Sequence, residues 1–157
     1  MCTAPRYLLI VACSQRKCAT PEVLPALERY DGVYFRVLRK ARRGGYWPEK
    51  LDVLIVSAKH GLLEADTPIA HDDLRMTREQ ATRLRPLVAP ALAEWIASRT
   101  YTEIFLNMGK TYHMALDGWD VSLTRDITVV YARGGIGRKA SQMRTWLLEK
   151  QGIKHEH

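Results

Sequence analysis

Residues 7–12 read YLLIVA, and residues 51–57 read LDVLIVS. Each run has the length of a strand and is nearly continuous in apolar residues, which marks strands covered on both faces, as in a parallel sheet. Two further runs of this kind follow, EIFLNM at 103–108 and ITVVYA at 127–132. Helical patterns fill the intervals. After Asp31, an N-cap residue type, Tyr34, Val37, Leu38 and Ala41 recur at helical spacing, and Gly44-Gly45 stops the run. Thr77 and Gln80 have the spacing of a capping box. Ala81, Leu84, Val88, Ala91 and Trp95 continue that helix, and Pro86 and Pro90 predict a kink or two short helices. A shorter helix begins near Lys110. The last runs from about Gly137 to Lys150, with Ile136, Ala140, Met143 and Leu147 inward. This alternation predicts a three-layer α/β sandwich with a central, mainly parallel sheet of about four strands.

The chain has 157 residues, which fits a single α/β domain over 1–157, with 152–157 (GIKHEH) as a disordered tail. With 46% hydrophobic and 26% charged residues, it is not a disordered chain. The net charge of +7 favours a polyanionic partner, nucleic acid or nucleotide. No apolar run approaches the roughly 18 residues of a membrane span, so no membrane partner is expected. The opening MCTAPRYLLIVAC resembles a signal ending in a lipobox, but its apolar stretch is short and only Arg6 precedes it; a buried first strand is the better reading. Cys2, Cys13 and Cys18 are odd in number and form no CxxC, which argues against a disulfide framework or zinc ribbon and for a cytoplasmic protein. His60, His71, Asp72 and Asp73 match no ligand spacing, so no metal and no cofactor is expected. Oligomeric state is left open.

In parallel sheets, sites form where strands end and loops begin. Four such segments are rich in polar residues and glycine. In ACSQRKC (12–18), Ser14 and Lys17 are suited to phosphate, and Cys13 or Lys17 to nucleophilic attack; otherwise Cys13 is core and Lys17 a solvated charge. The segment after β-run 51–57, residues 58–76, reads as a long irregular loop. It brings Lys59, His60, a turn-forming Gly61, and the carboxylates Asp66, Asp72 and Asp73, any of which could orient a water. Asp66 could equally cap the turn at Thr67-Pro68. In NMGKTYH (107–113), Gly109 and Lys110 open a helix and Tyr112 could stack on a ring; there is no Walker A loop. In YARGGIGRK (131–139), Arg133, Gly134 and Arg138 form a basic glycine turn that could cradle phosphate, without the dinucleotide fingerprint GxGxxG. Arg36, Arg39, Lys40, Arg42 and Arg43, with Tyr46 and Trp47, read either as a solvated helix face or as a patch that tracks a nucleic-acid backbone.

In this order, ACSQRK, SAKHGLLEADTPIAHDDLRM, NMGKTYHMAL and YARGGIGRK resemble a family of small bacterial and phage proteins of unknown function. More distantly they resemble the YaaA-like peroxide-stress family, which shares AK-x-G-L-L, a following Asp and a late YAR-x-x-G. The opening C-S-x-x-K is also similar to a domain of archaeosine synthase, a tRNA base-modifying enzyme. The resemblance covers about residues 7–147. It implies a uracil-DNA-glycosylase-like sandwich, DNA binding or stress protection on the YaaA side, and a nucleobase or nucleoside site at the strand ends. By motif position it carries over Cys13, Ser14, Lys17, Lys59, Gly61, Asp66, Asp73, Gly109, Tyr112, Arg133 and Gly134. Where the relatives read I-x-P-Y-D, this chain has Ile69-Ala70-His71-Asp72-Asp73. A base-stacking tyrosine is thus lost or relocated, which points to a different substrate.

The resulting expectation is an N-glycosidase that releases a nucleobase from nucleic acid or a nucleotide. Asp66 or Asp73 would orient the water and His60 would protonate the base. Lys17, Ser14, Arg133 and Arg138 would hold phosphate, and a covalent variant would use Lys17 or Lys59 as an amine nucleophile. The alternative is a non-catalytic, YaaA-like DNA-binding protein.

Overall fold

A computed structural model describes residues 4–153; Cys2 and tail residues 154–157 lie outside the described residues. Strand β1 (Tyr7–Ala12) is buried along its whole length. It is the middle strand of a five-stranded sheet. Its parallel neighbours are β3 (Leu51–Ser57) on one side and β6 (Glu103–Asn107) on the other. Outside β6 lies β7 (Thr128–Tyr131), also parallel. Outside β3 lies β4 (Gly61–Glu64), which is antiparallel.

The fifth strand corrects the expectation of about four. β4 sits inside residues 58–76, which the sequence presents as irregular. After Ser57 the chain turns back on itself, and Ser57 pairs with Gly61, whose φ of 73° suits glycine. Four residues are too few for a recognisable alternation, so this hairpin leaves only Leu62-Leu63 as its sequence trace.

A second small sheet pairs β2 (Leu24–Pro25) with β5 (Pro68–Ile69). It stitches the loop after β1 to the loop after β4. Alternate β1 residues face two cores. Tyr7, Leu9 and Val11 meet α1 (Ala26–Arg29), α2 (Val33–Gly44) and α5 (Ile136–Ile153). Leu8 and Ile10 meet α3 (Arg78–Ala97) and α4 (Lys110–Leu116). The three layers follow from this two-sided burial.

Local signals hold with some revisions. The N-cap of α2 is Gly32 rather than Asp31, whose carboxylate is taken by Arg36 and Arg39. Gly45, at φ 78°, ends α2 by donating its N–H to Ala41 O. Thr77 caps α3 by accepting from the Gln80 N–H at 3.1 Å, but the Gln80 side chain does not close the box; it donates to Ala58 O at 2.6 Å. Helix α3 is a single element through Pro86 and Pro90, and its buried stripe passes through Leu92 and Ile96 rather than Ala91. Ile136, expected inward, is 65% exposed at the first turn of α5. Gly152 and Ile153, expected in a disordered tail, belong to α5. Among the described residues, no helix is long and apolar enough to cross a membrane, and Cys13 and Cys18 are free thiols.

Candidate functional site

The parallel strands all end at one edge of the sheet, and the chain moves from one side of β1 to the other between β3 and β6. Such a switch point is where α/β sheets bind ligands. Three side chains converge there from three segments, the loop after β1, the β3–β4 turn and the loop after β5. Lys17 Nζ lies 4.0 Å from Asp72 Oδ1, and His60 Nε2 lies 3.9 Å from Asp72 Oδ2. The Lys17 and Asp72 side chains are only 5% and 7% exposed, whereas His60, at 28%, reaches solvent. Asp72 Oδ1 accepts the Leu74 N–H at 3.0 Å in a local turn. Asp72 Oδ2 is buried and accepts no hydrogen bond among the described residues. A carboxylate oxygen left this way carries a desolvation cost that a structural role does not explain.

The fold holds this triad from below. Lys17 forms a backbone bridge to Tyr30, and its ammonium lies 5.8 Å from the Tyr30 ring centre. The Tyr30 hydroxyl donates to Ser57 Oγ at 3.1 Å, and the same oxygen accepts the N–H groups of Lys59 and His60 at 3.2 and 3.1 Å. One serine therefore fixes both the tyrosine under Lys17 and the turn carrying His60. Burial raises the Tyr30 pKa well above the usual phenol value, the Ser57 bond opposes this, and Cys13 and Asp72 add to it. Arg29, fully buried, donates to the carbonyls of Cys18, Thr20, Glu22 and Ile69. With the β2–β5 pair it ties the Lys17 loop to the Asp72 loop. Neither Tyr30, Ser57 nor Arg29 stood out in the sequence.

Of the other residues expected at the site, Cys13 and Tyr112 meet: Sγ and Oη are 3.3 Å apart, and Oη also donates to Cys13 O at 3.3 Å. Burial, then the neighbouring Cys13, pushes the Tyr112 pKa up. The Ser14 hydroxyl donates to Arg16 O and accepts the Gly32 N–H, so it clips its own loop. A Cβ on Gly32 would come within 2.7 Å of Ser14 Cβ, which requires glycine there. Lys59 is exposed on the hairpin turn. Asp66, 75% exposed, pairs with Arg42 at 3.2 Å and does not reach the triad. The turn at Thr67 is closed by Glu64 O rather than by the Asp66 side chain. Asp73 is exposed and has no partner among the described residues. Thus the structure brings Lys17, His60 and Asp72 together and leaves Asp66 and Asp73 outside. No local pattern separates Asp72 from its neighbour in sequence.

The glycine turn lies elsewhere on this edge. Gly134 has φ 94°, and the Gln142 side chain pairs with both the N–H and the C=O of Arg133. Arg133 and Arg138 are exposed. Gly109 is the N-cap of α4, and the exposed Lys110 follows it. Lys139 donates to Met108 O at 3.1 Å, joining α5 to the end of β6.

A cleft of about 360 Å³ opens at the opposite end of the sheet, walled by Ile96, Tyr101, Trp119, Leu123 and Ile127. None of the four unpartnered buried polar side-chain atoms among the described residues lies in its wall. The triad is therefore the better candidate.

A family model matches residues 8–145, nearly the whole chain. The chain belongs to the DUF6884 family, a family of unknown function. No curated protein matches it. Among solved structures, this DUF6884 chain is similar to AF0587, a protein of unknown function, at 13% identity and a TM-score of 0.54. The match covers 91% of this chain and 44% of that one, and at this identity it shows the fold alone.

Proposed function

We propose that this DUF6884 protein cleaves the N-glycosidic bond of a nucleobase in nucleic acid or a nucleotide, with Asp72 at the reacting centre. The observation that carries the reading is the buried, unpartnered Asp72 Oδ2, facing His60 with Lys17 beside the other oxygen. Breaking C1′–N builds positive charge on the sugar and negative charge on the departing base. A fixed carboxylate stabilises the first, and a proton donor relieves the second. Asp72 and His60 offer that pair, and a flipped or free base is the substrate such a small site would take. The resemblance to a glycosylase-like domain supports the same chemistry. Asp72 here takes the role first assigned to Asp66 and Asp73.

The binding-only reading has less support. On α2, Arg36 and Arg39 are paired with Asp31, and Arg42 with Asp66, which leaves Lys40 and Arg43 as its exposed cations without a carboxylate partner among the described residues.

The test is base release. Purified protein is incubated with separate pools of nucleotides, DNA and tRNA, and free bases are read by mass spectrometry. One pool should release a base; Asp72→Asn should lower the rate by about 100-fold or more, and Asp66→Ala by less than about twofold. No release from any pool, with DNA binding that weakens steeply as salt rises, overturns the reading in favour of a non-catalytic binder.

A further inference from the structure

We infer that Lys17 supplies the nucleophile, so that base release passes through a covalent imine between its Nζ and C1′ of the sugar. This rests on the N-glycosidase reading. Three observations single out Lys17 among the lysines. Its side chain is 5% exposed, the least of the lysines whose ion pairs the structure shows, and its ammonium faces the buried Asp72 carboxylate. The nearest carboxylate oxygen, at 4.0 Å, lies beyond a direct hydrogen bond, so a proton passes to it through one bridging water. Its backbone bridge to Tyr30 and its place over the Tyr30 ring fix the direction of a flexible side chain. Lys59, the other candidate amine, is exposed on a turn and has no such support.

The steps balance without any redox partner. Lys17 passes a proton to Asp72, and its nitrogen lone pair attacks C1′. The C1′–N bond to the base breaks, the base leaves with the electron pair, and His60 gives it a proton. The new secondary ammonium returns a proton to His60. O4′ then leaves C1′ with its bonding pair as nitrogen and C1′ form a double bond, and Asp72 gives O4′ the proton it was holding. Water adds to the iminium carbon, the amine leaves, and the sugar is released as an aldehyde. The net reaction is hydrolysis, and on this covalent route Asp72 carries a proton from Lys17 to O4′ in place of stabilising positive charge on the sugar.

The experiment adds sodium borohydride to the pool that releases a base. The reagent delivers hydride to an iminium and converts it to a stable secondary amine. Intact-mass spectrometry of the wild-type protein should show addition of a reduced open-chain sugar, and peptide mapping should place it on Lys17. Lys59→Ala should trap as the wild type does. Lys17→Arg, which keeps the charge over Tyr30, should lose the adduct and at least about 100-fold of the release rate. If that variant does not fold, the wild-type peptide map decides alone. Base release without an adduct, or an adduct on another residue, overturns the lysine mechanism and leaves the glycosidase reading intact. Neither release nor adduct from any pool overturns both.

Discussion

The two ends of the central sheet treat their polar groups in opposite ways. At the end where the parallel strands begin, charged and polar side chains close on one another. Asp52 accepts from Arg6 at 2.9 Å and from the Tyr101 hydroxyl at 2.6 Å, and that hydroxyl accepts the Trp95 indole N–H at 2.8 Å. Across the sheet, Glu103 pairs with Lys150 at 3.0 Å and accepts the Trp146 indole N–H. Burial and the Asp52 carboxylate together raise the Tyr101 pKa, as expected of a phenol whose proton is already committed to an anion. At the end where the strands finish, the triad is held at 3.9 and 4.0 Å, a carboxylate oxygen has no donor, and neither does the amide oxygen of the fully buried Asn107. The carboxylates of the first end are satisfied internally, although the buried Tyr46 hydroxyl between α2 and β3 is not; at the second end the Asp72 carboxylate itself keeps an oxygen without a donor among the described residues.

Asp72→Asn draws the sharpest line between the ends. It should lower base release by about 100-fold or more with only a small fall in the urea midpoint, since the amide oxygen can still accept the Leu74 N–H while the buried Lys17 loses its facing charge. A large loss of stability instead would make Asp72 a structural group and remove the contrast. Asp52→Ala should do the reverse. It leaves Arg6 and Tyr101 without their acceptor and should lower unfolding stability by about 2 kcal/mol, with base release unaffected. Arg6 and Asp52 are each about a third exposed, so the hydrogen bond from the buried tyrosine carries more of that loss than the ion pair. Tyr101→Phe isolates this part. It strips the indole N–H of its acceptor and Asp52 of one donor, at about 1 kcal/mol by denaturant titration.

What the sequence discloses also differs between the ends. Long strands and their order can be read from continuous apolar runs, because burial on both faces leaves no polar interruption in YLLIVA or LDVLIVS. The rule that sites gather at strand ends points to the segments that carry the triad, and His60 and Lys17 are among their candidates. The choice between carboxylates was not legible. Asp66, Asp72 and Asp73 are chemically alike, and which one turns inward depends on the β2–β5 pair and on Arg29 bonding to carbonyls of two loops. The contacts that reach the Asp72 side, Arg29 with Ile69 and β2 with β5, join residues some 40 positions apart and have no local signature. The pairing of the basic helix is hidden for a similar reason: the carboxylates that meet its arginines come from outside it, at Asp31 and Asp66.

The smallest expected effect concerns pH and again belongs to the end where strands finish. His113, on α4, is half-buried, with its ring 5.6 Å from that of Tyr131 on β7. Burial, and then the positive charge of Lys139 on α5, hold its pKa below 6.5, against the opposing pull of a hydrogen bond to the Met108 backbone. Arg85 and Lys110 line the same groove and add positive charge, while Asp117, also there, pairs with Arg85 at 3.8 Å. In the unfolded chain the imidazole takes up its proton at about 6.5. The folded chain takes it up only at lower pH, so between those two values the unfolded state binds more protons. Stability should therefore fall as pH drops below about 6.5 and stop responding to this group once the folded pKa is passed. His113→Gln should flatten that slope in denaturant titrations at pH 7.5, 6.5 and 5.5, and Lys139→Met should reduce it. Asp31 and Asp126, whose pKa values are lowered mainly by hydrogen bonds from Arg36 and Thr124, lose their contribution only near and below pH 4, outside this window. A slope that survives in His113→Gln would assign the pH response to groups other than this histidine, and would leave the contrast between the two ends to rest on Asp72 and Asn107.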